Sequence, residues 1–174
     1  MITLISSTNR KNSLTLTITK YYQNILTQKG AESVIVDLAE LPVDFLFTAL
    51  YGQTGKNEHF NKFGSIIEAS EKFVFVVPEY NSSFPGVLKA FIDGMKYPQS
   101  FRNKKAALVG LSAGMMGGAL ALSHLTDIFN YLGMDVLALK VKLAAVEKFM
   151  EDNKINHKLY NELLELQAEQ IIKG

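Results

Sequence analysis

The sequence predicts an α/β fold in which helices cover both faces of a five-stranded parallel sheet, with the strands in the order 2-1-3-4-5. Three observations lead to this prediction. Short, apolar, β-branched segments alternate along the chain with longer segments whose apolar residues recur at helical spacing. The short segments lack the polar alternation of half-exposed strands, so both faces of the sheet need cover. Right-handed crossovers then leave few topologies, of which this three-layer sandwich fits the order of elements.

Each predicted strand is a short apolar run that ends at small or polar residues. The runs read "MITLIS", "ESVIVDL", "KFVFVV", "KAALVGLS" and "MDVLALK", and they occupy residues 1–6, 32–38, 72–77, 105–112 and 134–140. All five are rich in the β-branched, aliphatic or aromatic residues that suit a buried strand.

The predicted helices lie between and after these strands, at residues 14–29, 60–70, 85–95, 118–132 and 156–172. Gly30 follows the first helix, where a C-terminal cap is expected. Pro85 falls in the first turn of the third helix, where its missing N–H costs nothing. The last helix is predicted to bury one apolar face, formed by Leu159, Leu163, Leu166 and Ile171.

Composition limits the classes of function. With 174 residues and no linker, repeat or low-complexity tract, we expect one domain over residues 1–174. Lysine plus arginine (18) nearly balances aspartate plus glutamate (17), so neither nucleic acid nor an anionic membrane is favoured as a partner. No apolar run approaches the ~20 residues that span a bilayer, and no signal peptide precedes the first strand, so we expect a cytoplasmic protein.

Two kinds of reactive centre are not expected. The chain has no cysteine, which excludes disulfides, thiolate metal ligands and a cysteine nucleophile. The three histidines, His59, His124 and His157, are far apart in the sequence and lack ligand spacing, so we expect no metal site.

The loop "SSTNRKNS" follows the first strand and leads into a helix. The amide N–H groups at a helix N-terminus attract anions. Thr8 and Ser13 add hydroxyl groups, and the guanidinium of Arg10 suits phosphate oxygens. This pattern indicates a phosphate-binding loop, although an ordinary helix capped by Ser13 with a solvated Arg10 would explain the same residues.

The loop "PEYNSSFPG" follows the third strand. Pro78 has no N–H and restricts the chain, which helps to direct the loop away from the sheet. Tyr80 can pack against a planar ring, and Asn81 can join the loop to its neighbour. The alternative is a simple strand-to-helix turn with a satisfied asparagine and an exposed tyrosine.

The loop "SAGMMGG" follows the fourth strand. Gly114, Gly117 and Gly118 allow close approach of a ligand to the backbone or positive φ values, although a flexible turn is the alternative. Since the carboxyl ends of parallel strands meet at one edge of the sheet, the three loops are expected to form one cleft.

Taken together, these motifs resemble the NAD(P)H-dependent FMN reductase family, whose flavodoxin-like members include azoreductases, quinone reductases and chromate reductases. The family pattern G-S-x-R-x-x-S corresponds to residues 7–13, with Ser7 in place of glycine. The pattern P-E-Y-N-x-S-x-P-G-x-L-K appears unbroken from Pro78 through Lys89, and a small residue followed by G-x-x-G-G matches residues 113–118. The family pattern continues as L-K-N-A-[IL]-D-W, which reads "LKAFIDG" here, so Gly94 replaces the tryptophan.

The resemblance implies an FMN site built from all three loops. The phosphate would be held by Thr8, Arg10, Asn12, Ser13 and Leu14. The isoalloxazine edge would lie against Pro78, Glu79, Tyr80, Asn81 and Ser82, chiefly through the backbone. The opposite side would be closed by Ala113, Gly114, Met115 and Gly117.

The resemblance also implies a reaction and an assembly. NADPH or NADH would reduce the flavin at N5 and leave, and a small-molecule acceptor such as free flavin, a quinone, an azo compound or a metal oxyanion would then take the electrons. No side chain is expected to be an obligate catalytic acid or base. A homodimer is expected, or a tetramer, with the unusually apolar residues 41–60 at the contact and Phe47 or Tyr51 reaching the partner's flavin.

Two other functions use the same fold. A flavodoxin-like electron carrier usually docks through a strongly acidic surface, which a chain of net charge +1 lacks. A non-enzymatic FMN-binding protein would carry the same loops without turnover.

Overall fold

The computed structural model describes residues 1–174 and contains a five-stranded parallel sheet. Its strands are β1 (Ile2–Ser6), β2 (Ser33–Asp37), β3 (Lys72–Pro78), β4 (Lys105–Ser112) and β5 (Asp135–Ala144). Neighbouring strands lie in the order β2-β1-β3-β4-β5, and every pair is parallel. The predicted fold class and strand order are therefore confirmed. A short antiparallel hairpin of β6 (Met150–Glu151) and β7 (Lys154–Ile155), which the sequence did not predict, precedes the last helix.

Six α-helices connect and cover the strands. They are α1 (Leu14–Gln28), α2 (Phe45–Thr48), α3 (Glu58–Ala69), α4 (Gly86–Asp93), α5 (Ala119–Tyr131) and α6 (Lys158–Lys173). Short 3₁₀ turns occur at Leu38–Glu40, Tyr51–Gln53 and Val146–Phe149. No helix is both long and apolar enough to cross a membrane.

The sheet separates two apolar cores because side chains alternate across each buried strand. On β3, Phe73, Phe75 and Val77 point into a core covered by α3, α4 and α5. Val74 and Val76 point to the opposite face, where α1 and α6 pack. The central strands β1 and β3 are buried along almost their whole length, as their apolar runs predict.

The ends of α1 follow the expected capping chemistry. Ser13 is the N-cap, and its Oγ accepts a hydrogen bond from the Leu16 N–H at 3.2 Å. Gly30 follows the last turn with φ of 75°, a left-handed conformation that glycine adopts without strain. In α4, Pro85 is the N-cap itself and stands one residue before the first turn.

The apolar face predicted for α6 is confirmed at Ile171, which is fully buried, and at Leu163, which packs partly buried on the core, but not at Leu159 and Leu166. Leu159 and Leu166 are 53% and 48% exposed, whereas Gln167 and Ala168 are fully buried. Gln167 faces an irregularity between β4 and β5, where the register passes from Ala106–Val136 to Leu108–Lys140. The Gln167 amide donates to the carbonyls of Leu108 and Leu139 at this point, at 3.0 and 2.8 Å, and so satisfies groups that the irregular strand pair leaves free.

The apolar segment at residues 41–60 divides between the core and the surface. Phe45, Ala49, Leu50 and Phe60 are buried against the α3–α4 face of the sheet. Val43, Leu46, Phe47 and Tyr51 are exposed on the same segment. The segment therefore both completes the core and presents an apolar surface.

Candidate functional site

A cavity of about 250 Å³ lies at the carboxyl edge of the sheet. Four segments line it, namely residues 10–15, 78–80, 111–113 and 146–147. They follow or end β1, β3, β4 and β5, so the topology brings together loops that are distant in the sequence.

The structure divides the predicted site residues into two groups. The cavity is lined by Arg10, Asn12, Ser13, Leu14, Pro78, Glu79, Tyr80 and Ala113. Six further residues do not line it: Thr8, Asn81, Ser82, Gly114, Met115 and Gly117. All but Gly117 lie within two residues of the lining in the sequence.

The first loop presents hydrogen-bond donors that have no partner within the chain. The backbone N–H groups of residues 11–15 donate no hydrogen bond to the protein. Arg10 is exposed and takes part in no ion pair. Because the N-terminus of α1 carries a partial positive charge, this donor set suits a phosphate group.

Thr8 lies behind the first loop and is fully buried. A hydrogen bond of 2.7 Å joins Thr8 Oγ1 to the Tyr80 hydroxyl, and Thr8 Oγ1 also accepts from the Arg10 N–H at 3.3 Å. The threonine therefore ties the first loop to the second.

The second loop contains a two-residue hairpin turn. Tyr80 and Ser83 exchange backbone hydrogen bonds of 2.8 and 3.0 Å, and Asn81 and Ser82 between them have φ of 50° and 60°. Such turns favour asparagine because it tolerates positive φ. The expected link through Asn81 is not formed, because its side chain makes no hydrogen bond. Glu79 joins this loop to the third instead, since its Oε2 accepts from the Gly118 N–H at 3.1 Å.

The third loop is organised by Ser112. Its Oγ donates to the Gly114 carbonyl and accepts from the Gly117 N–H, both at 2.9 Å. Gly117 and Gly118 have φ of 57° and 77°, as a positive-φ role predicts. Their close contacts are with the sheet: a β-carbon on Gly117 would lie 2.9 Å from the backbone of Lys142.

Two further side chains lie near the site. Met115 is exposed at 83%, beyond the cavity. His124 on α5 lies 2.9 Å from Ser83 Oγ through its Nδ1, which holds the second loop from the α5 side.

Six residues that line the cavity were not predicted from the sequence. They are Lys11, Thr15, Leu111, Ser112, Val146 and Glu147. Val146 and Glu147 were missed because the predicted fifth strand stopped at residue 140, whereas β5 continues to Ala144. The loop after β5 is therefore a fourth contributor to the site.

A family model described as NADPH-dependent FMN reductase matches residues 1–147. The chain belongs to this family. The resemblance inferred from the three loop motifs is confirmed, and FMN and a nicotinamide nucleotide agree with the family's description.

Individual relatives agree with this assignment. An NAD(P)H-dependent FMN reductase of Pseudomonas aeruginosa is 41% identical over 78 residues, which cover 44% of this chain but only 42% of the relative's length. A quinone reductase of Pseudomonas putida is 32% identical over 129 residues, which cover 71% of this chain and 68% of the relative.

The fold is also found in solved structures. The NAD(P)H:(acceptor) oxidoreductase FerB of Paracoccus denitrificans superposes with a TM-score of 0.78 over 99% of this chain and 94% of that chain, at 24% identity. This likeness supports the flavodoxin-like fold.

Proposed function

We propose that the protein is an NAD(P)H-dependent oxidoreductase that binds FMN in the 250 Å³ cavity and passes electrons from the nicotinamide to a small-molecule acceptor. One observation carries this proposal. The first loop offers hydrogen-bond donors that have no partner in the chain, and it meets the "PEYN" turn and the third loop at one cavity. A family relative named quinone reductase makes a quinone the first acceptor to test.

At the phosphate end, Arg10 and the amides of Asn12, Ser13 and Leu14 would hold the anion. These groups have no competing partner in the chain, so binding requires no existing hydrogen bond or ion pair to break. Thr8 would support them from behind, since its hydroxyl joins Arg10 N–H to Tyr80.

At the ring end, Pro78, Glu79 and Tyr80 would form one wall and Ala113 another. Asn81 and Ser82 continue the first wall, and Gly114 and Met115 continue the second, so we retain them as contacts for a ring that extends beyond the cavity. Gly117 would act through Ser112, to which its N–H donates.

FMN, when bound, supplies hydride chemistry at N5, and the protein supplies position and electrostatics. These residues would orient the cofactor, and none is assigned as an obligate acid or base. We propose that nicotinamide and acceptor use one exposed face in turn, which makes the kinetics ping-pong.

Steady-state kinetics test this proposal. Initial rates of NADPH and NADH oxidation, measured at several fixed quinone concentrations, should give parallel double-reciprocal lines. Free flavin, an azo dye and chromate extend the acceptor series. If the protein binds FMN but oxidises neither NADPH nor NADH with any acceptor, the proposed enzymatic activity is contradicted. That result would favour an electron carrier or a non-enzymatic FMN-binding protein.

We further propose a homodimer, or a tetramer, that covers the exposed part of residues 41–60. Phe47 and Tyr51 are 83% and 76% exposed there, and contiguous exposed apolar groups commonly mark an interface. Light scattering should give two or four times the 19.3 kDa chain mass.

A pair of variants makes this test specific. Phe47→Glu should shift the mass toward one chain, whereas Leu159→Glu, at a leucine exposed on α6, should not. A wild-type protein that stays monomeric with FMN bound would contradict the dimer.

A further inference from the structure

A second cavity, of about 470 Å³, lies beside the proposed FMN cavity at the same edge of the sheet. Lys11 and Tyr80 line both cavities, so the two share a wall. The rest of the second cavity is formed by the segment after β2 and by the start of α4. A molecule bound there would lie next to the cofactor.

The walls of the second cavity suit a flat apolar ring. Most of the lining is apolar and includes Leu38, Leu41, Phe45, Leu46 and Val87. Tyr80 adds an aromatic ring, whose hydroxyl is held by Thr8 at 2.7 Å and whose position is therefore restrained. Apolar side chains beside a fixed tyrosine ring favour an aromatic ligand through burial and stacking.

The lining of the second cavity carries a single charge, which is positive. Lys11 is its only charged lining residue, and no aspartate or glutamate lines it. Lys11 is exposed and makes no ion pair, since all five ion pairs of the protein involve other lysines. Asn9, the neighbouring polar side chain, has no side-chain hydrogen bond either. An anionic group on the ligand would therefore meet a free ammonium.

We propose that the second cavity binds an aromatic electron acceptor that carries an anionic substituent, with Lys11 pairing with the anion and the ring lying against Tyr80. This inference rests on the proposed oxidoreductase function and specifies its substrate class. Acidic quinones, ionised at neutral pH, are selected over neutral quinones of the same size, and Lys11 is the residue that determines the preference.

The test compares two naphthoquinones of similar size. Binding of 2-hydroxy-1,4-naphthoquinone, which is ionised at neutral pH, and of neutral 2-methyl-1,4-naphthoquinone is measured by calorimetry on the FMN-loaded, oxidised protein. Lys11→Gln should weaken binding of the hydroxyquinone about tenfold, the low end for a charge-assisted hydrogen bond, and leave the methylquinone nearly unchanged. Lys20→Gln, at an exposed lysine of α1, is the matched control.

Because Lys11 lines both cavities, a second variant is needed to distinguish an effect on the second cavity from an effect on the cofactor site. Gly86 lines only the second cavity, lies outside the phosphate-binding loop and has room for a β-carbon, so Gly86→Asp places a carboxylate there. This variant should weaken binding of the hydroxyquinone but not of the methylquinone. Its affinity for FMN, measured by flavin fluorescence, should stay at the wild-type value.

Three results would overturn the inference. They are equal effects of Lys11→Gln on both quinones, no effect on either, and a selective loss of NADPH binding, which would assign the cavity to the nicotinamide nucleotide. Failure of the proposed function shows differently, as absence of FMN binding or of nicotinamide oxidation in the wild-type protein.

Discussion

Gly94 packs so closely on Phe60 that a β-carbon on Gly94 would lie 2.5 Å from Cζ of the phenylalanine ring. Phe60 is 2% exposed, stacks on Phe45 with ring centroids 5.5 Å apart and meets Phe91 edge-on at 6.0 Å. In the family motif a tryptophan stands at the position of Gly94. Here the aromatic bulk at this position comes from α3, and the glycine makes room for it.

Gly94→Ala should therefore destabilise the protein. Because Phe60 is held by two other rings, the extra methyl group forces a shift, and the expected loss is about 1–3 kcal/mol of unfolding free energy. Gly64→Ala is the control, since a β-carbon there meets nothing within 4 Å and the residue lies inside α3. That control should gain roughly 0.5–1 kcal/mol. Equal stability of the two variants in urea would contradict the packing account.

Arg10→Ala should weaken FMN binding. The loss of a charge-assisted hydrogen bond to phosphate is expected to cost about 1.5–3 kcal/mol of binding free energy. Arg102→Ala, at the exposed arginine that precedes β4 at the opposite edge of the sheet, should leave affinity unchanged. Titration of the apoprotein with FMN measures both, and unchanged affinity in Arg10→Ala would mean that the amides alone hold the phosphate.

Gln167→Leu should destabilise the protein by about 2–4 kcal/mol, since it leaves buried polar groups without partners. The leucine cannot donate to the Leu108 and Leu139 carbonyls or accept from the Tyr22 hydroxyl, which lies 3.2 Å from Gln167 Oε1. The exposed Gln170 on the same helix provides the control substitution, Gln170→Leu, with little expected effect. Urea unfolding compares them, and a neutral Gln167→Leu would refute the role given to this amide.

Tyr22 should make stability fall at alkaline pH. Burial raises the pKa of Tyr22 above its ordinary value near 10. Above pH 10 the unfolded chain loses this proton while the folded protein keeps it, so the contribution is complete below about pH 10 and is lost as pH rises. Tyr22→Phe removes this titration and should flatten the decrease in unfolding free energy between about pH 9 and about pH 11.

Comparing the wild type with Tyr22→Phe separates the titration of Tyr22 from that of other groups whose pKa is shifted. Burial also raises the pKa of Tyr21 and lowers that of Lys104, but both residues are present in the wild type and in Tyr22→Phe. If the unfolding free energy falls with pH at the same rate in the two proteins, Tyr22 does not control the loss of stability at alkaline pH.

The sheet could be predicted from the sequence because its central strands are buried on both faces. β1, β3 and most of β4 therefore read as mainly apolar runs, and the strand order follows from their alternation with helices. The part of the α6 face that contains Gln167 could not be predicted in this way. Its contacts depend on Gln167 and the irregular β4–β5 pairing, a tertiary feature that leaves no periodic signal in the helix.

The site shows the same division. Its location followed from the rule that parallel strands present their loops at one edge, and eight of the predicted residues line the cavity there. The hydrogen bonds between loops could not be predicted, because Thr8–Tyr80 and Glu79–Gly118 join residues that only the folded chain brings together. Ser112 was overlooked since a serine at a strand end has no distinctive pattern.

Identification of the cofactor tests the central claim most directly. The protein is purified, reconstituted with an equimolar mixture of FMN and FAD, washed and denatured, and the released flavin is identified by mass. The hydrogen-bond donors of residues 10–15 suit a single phosphate group, so we expect one FMN per chain and little FAD. Release of FAD alone, or of no flavin at all, would contradict the account.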